Sequence, residues 1–400
     1  SLQNVNIMKT ILYIYHTSNI GGGSFCLLNI LKTVDRRLFK PVVLLKNDGL
    51  LVEEIKALDI DIYFLSKLHT VPYNVSTLTP RKLWNAYSII TGFTGYKQIL
   101  REVKPDIVYI NTMMLYPYLR LAKKMGIKTI IHIREHWPEK EHIWQRKIAL
   151  QYIDKYADHI IAINSYSASM LDFSLKPKTI VYDWIDMSKR YEERPMSEIF
   201  REPMDGKKVY LYMGGMQPIK GAKEVITSFT KVVKSPNARL LVMGISSNSY
   251  SRGWKGKVKN VLSKLGYTAY TEAVLNAISK DKRIICIPGT YKIKHILQQT
   301  YCILSYFTIP HANLALAESI ILGTPTIAAA TSESREYSLE GSMASLFAIN
   351  NVNEFECAIR NFENERLQIL ANIQKNSDKI KYMFDSEKNS RKLDEIYKAL

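Results

Sequence analysis

The stretch "KVYLYMGGMQPIKG" (Lys208–Gly221) decides the fold. Its apolar run, Val209 to Met213, has the length and the aromatic and β-branched content of a buried strand. It runs into a glycine turn and then toward a helix. Near the start of the chain "TILYIYHTSNIGGGS" (Thr10–Ser24) makes the same passage, from strand to glycine loop to the helix 25–34. Further strand-like runs follow the first loop at 41–45, 60–65, 106–110, 129–133, 159–163 and 179–182, and the second at 238–243, 283–287, 301–304 and 326–328. Strands alternating with helices form parallel α/β sheets. The restart at Lys208 therefore implies two Rossmann-like parallel-sheet domains facing across a cleft. The polar stretch Asp186–Asp205 lacks strand character and reads as the join. The expected boundaries are a first domain over 1–190, a linker over 191–206, a second domain over 207–375 and a C-terminal helix over 376–400.

Composition narrows the function classes. Four hundred residues with 46% hydrophobic content suffice for two real cores. No run of about eighteen apolar residues suggests a transmembrane helix, and Ser1–Asn6 does not read as a secretory leader. Cys26, Cys286, Cys302 and Cys357 are scattered without a C-x-x-C pair, which suits reduced thiols in a cytoplasmic protein rather than a zinc site. The net charge is +18, and from Lys207 to Lys294 seventeen Lys and Arg are set against three acids, leaving +14 in that segment. Such an excess reads as a solvated face, a site for nucleotide phosphates, or a surface for anionic membrane. No nucleic-acid-binding motif accompanies it.

In sheets of this kind ligands sit at the carboxyl ends of strands, over helix N-termini. The loop "SNIGGGS" (Ser18–Ser24) would let backbone N–H groups approach a phosphate, although tight packing alone also selects glycine. It lacks the G-x-G-x-x-G spacing, and the second strand ends Leu45-Lys46-Asn47 rather than on an acid, so a dinucleotide site is not expected. In the second loop, opened by Gly214, Lys220 stands near the mouth of the next helix, where it would neutralise a diphosphate or simply be an exposed lysine.

Asn313 would cap a helix running to Leu322, stopped by Gly323 and Pro325. Glu318 shares a stripe of that helix with Leu314, Ile321 and Leu322. A carboxylate among apolar neighbours stays charged if it accepts hydrogen bonds, from the paired hydroxyls of a ribose or from a core partner. The free N–H groups of the first turn, at Asn313 to Ala315, would face a pyrophosphate. "HIREH" (His132–His136) ends the fifth strand, which makes His132, Arg134 and Glu135 the candidate catalytic residues; a salt-bridge cluster between the lobes is the alternative. The D-x-D of "ALDID" (Ala57–Asp61) has no further ligand cluster beside it, so no metal site is expected.

Taken in order, "HTSNIGGGS", "ADHIIAINSYS" (Ala157–Ser167), "VYDWID" (Val181–Asp186), "MGGMQPIKG" and "NLALAESIILGTPTIAA" (Asn313–Ala329) resemble the retaining GT-B glycosyltransferases of family four, the group-one type common in bacterial polysaccharide assembly. The resemblance runs over most of the chain. It implies a GT-B fold whose C-terminal helix returns to the first lobe. It also implies transfer of a hexose from a UDP- or GDP-linked donor to a hydroxyl of a glycan or lipid-linked acceptor, with retention and without metal or other cofactor. By the same resemblance Lys220 would contact the donor diphosphate and Glu318 its ribose. Backbone N–H groups of Gly22 and Gly23, and those around Leu314 and Ala315, would hold phosphate oxygens.

Three positions depart from the family pattern. The arginine of G-R-L is Gly215, the first glutamate of E-x7-E is Pro310, and a glycine pair is replaced within Ser332-Glu333-Ser334-Arg335, although Glu336 fits the acid that follows. They leave open a non-catalytic nucleotide- or glycan-binding relative; a nucleotide-sugar epimerase on the same scaffold is the other alternative. The segment Arg81–Arg101, with aromatics between basic ends, reads as a core helix or as a peripheral contact with the inner membrane face.

Overall fold

The structure is a computed structural model, and it describes residues 8–19, 22–71, 80–135, 137, 143–185, 193–245, 267–290 and 292–400. Gly21 of the first loop, His136 of "HIREH", residues 186–192 at the expected join and 246–266 of the basic segment lie outside the described residues. The chain divides into two compact units, Ser1–Trp184 with Phe384–Leu400, and Ile185–Met383.

The first unit is a parallel sheet of seven strands: β1 (Lys9–Ile14), β2 (Phe39–Leu45), β3 (Asp61–Phe64), β4 (Ile107–Ile110), β5 (Lys128–Ile133), β6 (His159–Ala162) and β7 (Lys178–Ile180). Their order is β3-β2-β1-β4-β5-β6-β7. Strands covered on both faces carry continuous apolar runs, and β1 through Ile11-Leu12-Tyr13-Ile14 is fully buried. Alternation along the strands sends side chains to opposite faces. Leu12, Ile14, Val108 and Ile110 join one core; Ile11, Tyr13, Ile107 and Tyr109 join the other. That second core is completed by Leu393, Ile396 and Tyr397 of the helix Ser386–Ala399.

The second unit has six parallel strands: β8 (Lys208–Tyr212), β9 (Ala238–Met243), β10 (Ile284–Ile287), β11 (Cys302–Ser305), β12 (Thr326–Ala329) and β13 (Ser345–Phe347). Their order is β10-β9-β8-β11-β12-β13. Both sheets are thus doubly wound, with switch points between β1 and β4 and between β8 and β11, where such sheets bind ligands.

The structure differs from the sequence reading in four places, the first at the C-terminus: residues 376–383 end the long helix Val352–Met383 of the second unit, and Ser386–Ala399 is a separate helix of the first. The first helix begins at Gly22, so Gly22 and Gly23 form its first turn rather than a loop. Within the stretch read as linker, Met196–Phe200 is a helix whose Met196, Ile199 and Phe200 are buried in the second unit's core. The short strand β13 is additional.

Candidate functional site

In the second unit the chain leaves β8 through Gly214 and Gly215. A Cβ at Gly214 would run into the Tyr212 hydroxyl. Gly215 has φ +63° and packs against Gly244, after β9, which has φ +85°. Both the left-handed backbone and the close approach select glycine. The Gly215 N–H donates to the Met243 carbonyl (3.2 Å) and the Gly244 N–H to that of Ile287 (3.0 Å), so backbone pairing continues past the strand ends. The position that would carry an arginine in the family pattern is thus bare backbone in a conformation suited to glycine.

The turn Pro218–Lys220 closes on Gly221, where φ is +66° and a Cβ would enter the Tyr306 ring. The Tyr212 hydroxyl lies within hydrogen-bonding distance of the carbonyls of Gly215 (3.2 Å) and Lys220 (3.1 Å), which ties both ends of the loop to β8. The Lys220 side chain is half-buried and makes no hydrogen bond or ion pair among the described residues. Burial alone holds its pKa below the usual lysine value. A desolvated ammonium with no counter-charge is a strained arrangement that an anion relieves.

The segment after β11 meets this loop: the Thr308 N–H donates to the Ile219 carbonyl at 3.0 Å. It then reaches Asn313, whose Oδ1 accepts from the Leu316 N–H (3.3 Å) and the Ser305 hydroxyl (3.1 Å), while its Nδ2 donates to Ser334 Oγ (3.3 Å). One buried side chain therefore caps the helix Leu314–Ile321 and fixes it to β11 and to the helix Ser332–Tyr337. First-turn N–H groups, here those of Leu314 and Ala315, have no intrahelical acceptor, and both residues are half-buried. Glu318 is only 6% exposed. Its stripe, Leu314, Ile321 and Leu322, is half-buried, whereas Leu316, Ala317, Ser319 and Ile320 are buried. The carboxylate thus lies on the more open side of the helix, one turn beyond the free N–H groups. Pro310 sits in the same connecting segment.

In the first unit, His132, next to last in β5, is fully buried, with Nδ1 beside the Tyr109 hydroxyl and 3.2 Å from Arg134 Nη2. Burial, helped by the Arg134 charge, keeps its pKa far below the ordinary value, so the ring is neutral. Two donors at Nδ1 place the proton on Nε2, which has no partner among the described residues. Arg134 donates to Asn111 Oδ1 (3.0 Å) and pairs with Asp183. Glu135 accepts from the Thr112 hydroxyl and from the N–H groups of Met113 (2.9 Å) and Arg134 (3.0 Å). Burial raises its pKa, and these hydrogen bonds oppose the rise. All these partners belong to the first unit, so these contacts form a network inside one lobe. Tyr109 and Asn111 carried no mark in the sequence beyond lying at or near a strand end, and Asp183 was marked only as part of "VYDWID".

At the first helix a Cβ on Gly22 would meet nothing within 4 Å, while one on Gly23 would strike the Tyr15 hydroxyl. Gly23 therefore has a packing reason to be glycine, and Gly22 leaves open space. Of the D-x-D, Asp59 lies in a left-handed turn (φ +55°) and Asp61 pairs with Lys40 at 3.0 Å. Among the described residues no three His, Cys, Asp or Glu side chains are grouped to hold a metal ion, and no helix is long and apolar enough to cross a membrane.

Comparison with known proteins adds sequence and fold relations. The family model for glycosyl transferases group 1 matches residues 197–380, and that for Glycosyltransferase Family 4 matches residues 20–189. A curated protein of Alkaliphilus oremlandii (strain OhILAs), the UDP-N-acetylglucosamine--N-acetylmuramyl-(pentapeptide) pyrophosphoryl-undecaprenol N-acetylglucosamine transferase, is 24% identical over 236 residues. The match takes in 58% of this chain and 61% of the relative, so the chain spans about three fifths of that protein's length. Among solved structures, Anabaena HepE in complex with UDP-glucose is similar over 98% of this chain and 100% of its own, with TM-score 0.75 and 16% identity. The sucrose-phosphate synthase of Thermosynechococcus elongatus is similar over 98% of each chain, with TM-score 0.66 and 12% identity.

Proposed function

The chain belongs to the group 1 glycosyltransferases of family four, and on that premise we propose that it transfers a hexose from a UDP-linked donor to a hydroxyl of a glycan or lipid-linked acceptor, with retention and without a metal. The observation that carries the reading is Lys220, a half-buried ammonium with no anionic partner among the described residues, in a loop hydrogen-bonded to the segment that leads into the helix Leu314–Ile321. In this reading its charge and the N–H groups of Leu314 and Ala315 take the diphosphate. Glu318 accepts from the two ribose hydroxyls, and the N–H groups of Gly22 and Gly23 take a phosphate oxygen. Gly214 lets the turn after β8 approach the donor as bare backbone. As the bond between the sugar C1 and the phosphate oxygen breaks and the acceptor oxygen bonds to C1, negative charge grows on the departing UDP, whose phosphate oxygen takes the acceptor's hydroxyl proton. Fixed N–H dipoles and a desolvated cation are aimed at that charge. We assign His132 Nε2–H to the transferring sugar, with Arg134 and Glu135 as positioning residues.

The choice of UDP is supported by the UDP-glucose complex of HepE, and a lipid-linked acceptor by the pyrophosphoryl-undecaprenol in the curated relative's name. We place this activity in bacterial cell-surface polysaccharide assembly, at the cytoplasmic face of the membrane. Pro310 and Gly215 favour a second reading, a relative that binds nucleotide sugars without turning them over.

The test is release of UDP from a panel of UDP-hexoses offered with glycan and lipid-linked acceptors, with the product anomer read by NMR. Acceptor-dependent release that is insensitive to EDTA and gives the donor's anomer is expected, with kcat/KM falling roughly a hundredfold in Lys220→Ala. Donor binding without transfer or hydrolysis would decide for the second reading.

A further inference from the structure

We propose that the carboxyl edge of β1–β3 in the first unit carries an anion subsite, formed by His16, Lys46 and His69, that binds a phosphate group of the acceptor. The inference rests on the glycosyl-transfer reading for the word acceptor; the subsite itself rests on geometry. The three strands are neighbours, and their ends are held level: the Tyr15 N–H donates to the Leu44 carbonyl (3.1 Å) and the Leu65 N–H to that of Leu45 (2.9 Å). His16 follows β1, Lys46 directly follows β2, and His69 lies in the turn beyond β3.

The loops that carry these residues are fixed to one another. The Ser18 hydroxyl donates to the Asp48 carbonyl at 2.9 Å, and the Leu51 N–H to that of Ser18 at 2.9 Å. A Cβ on Gly49 would stand 2.7 Å from Ser18 Oγ, so the loops interlock closely. The His69 N–H is held by the Tyr118 hydroxyl (3.2 Å).

All three side chains are half-buried. Lys46 Nζ lies 3.3 Å from His69 Nδ1, so the ammonium donates to a neutral ring that also hydrogen-bonds the Asn85 side chain. His16 Nδ1 is buried and has no hydrogen-bond partner among the described residues. The nearby acid, Asp48, uses Oδ1 on the Gly49 N–H at 2.8 Å. Burial, and after it the Lys46 charge, holds His16 down to about 4 and lowers His69 as well. The edge is thus one of positive potential, with side-chain nitrogens brought to it from three loops.

A phosphate offers three terminal oxygens to donors from three sides; a carboxylate has two. Lys46 also ends the second strand where dinucleotide-binding sheets place an acid for ribose hydroxyls. The cation there turns hydroxyl recognition into anion recognition. The donor's diphosphate is assigned to Lys220, the first turn at Leu314 and Ala315, and the N–H groups of Gly22 and Gly23, so this phosphate is the acceptor's.

The test is methyl phosphate titrated into histidine-labelled protein already saturated with UDP, with UDP binding measured separately. The His16 and His69 imidazole resonances, identified with His16→Gln and His69→Gln, are expected to move saturably, each ring gaining protons at fixed pH. Lys46→Met is expected to weaken methyl phosphate at least tenfold and leave the UDP isotherm unchanged. His69→Gln, which keeps Lys46, is expected to weaken it several-fold. Immobile resonances, or Lys46→Met binding like wild type, would overturn the subsite. Equal competition by glucuronate would replace phosphate by a carboxylate, and tighter binding of inorganic phosphate would mark a site for the free ion; either overturns the proposal. Loss of UDP binding in Lys46→Met would return the cluster to the donor. Methyl phosphate that binds where UDP does not would sink the donor reading and leave the anion subsite standing.

Discussion

Gly221 is the residue on which the second unit's loop closes: φ is +66°, and the Tyr306 ring fills the space a side chain would need. Gly221→Ala combines backbone strain with a clash, and is expected to lower stability in urea by roughly 2 kcal/mol and to weaken UDP binding as Lys220 is displaced. In the first unit, His16 gives a pH dependence with a definite sign. The unfolded imidazole takes a proton near the ordinary value of 6.5, the folded one only near 4. Between those values the unfolded chain holds more protons, so stability is full above about 6.5 and falls as pH drops toward 4, by roughly 3 kcal/mol from this residue. Buried His132 acts in the same direction. Denaturation at pH 7 and pH 5 is expected to show the loss, and His16→Gln to reduce it. His132, Arg134 and Glu135 were legible as strand-end residues, but their partners were not. Tyr109, Asn111 and Asp183 come beside them through strand order and register, and no local pattern encodes that.

The helix Leu314–Ile321 is the element that local chemistry announced best. Asn313 caps it and Gly323 follows it with φ +80°, both decided by neighbouring residues alone. Asn313 does more than cap, since it also links Ser305 and Ser334. Asn313→Ala is therefore expected to cost about 2 kcal/mol in denaturant, toward the upper end for a lost cap. Asn313→Asp keeps the cap but loses the donor to Ser334, and is expected to fall between. Other elements were hidden. Three consecutive glycines read as a loop, yet Gly22 and Gly23 lie in the first helix, where a Cβ on Gly23 would strike the Tyr15 hydroxyl. Met196, Ile199 and Phe200 have helical spacing, but charged neighbours and two prolines masked it. The three residues of β13 are too few for a periodicity to show.

At the scale of the molecule, the restart of strand and glycine turn at Lys208 was enough to give two doubly wound sheets, since parallel strands covered on both faces are written as continuous apolar runs. Nothing in the periodicity of residues 386–399 says which unit that helix joins. Its place is set by long-range packing of Tyr397 against Tyr13, Phe39 and Tyr109. Tyr397→Ala is expected to destabilise the first unit by about 4 kcal/mol, read as a lower melting transition, while UDP still stabilises the second. The central claim is that the second unit holds the UDP of the donor through Lys220, the first turn at Leu314 and Ala315, and Glu318. Calorimetric titration of UDP into wild type, Lys220→Ala and Glu318→Gln tests it most directly. Saturable binding by the wild type, weakened at least tenfold in each variant, is the result expected; no binding by the wild type, or equal binding by all three, would contradict it.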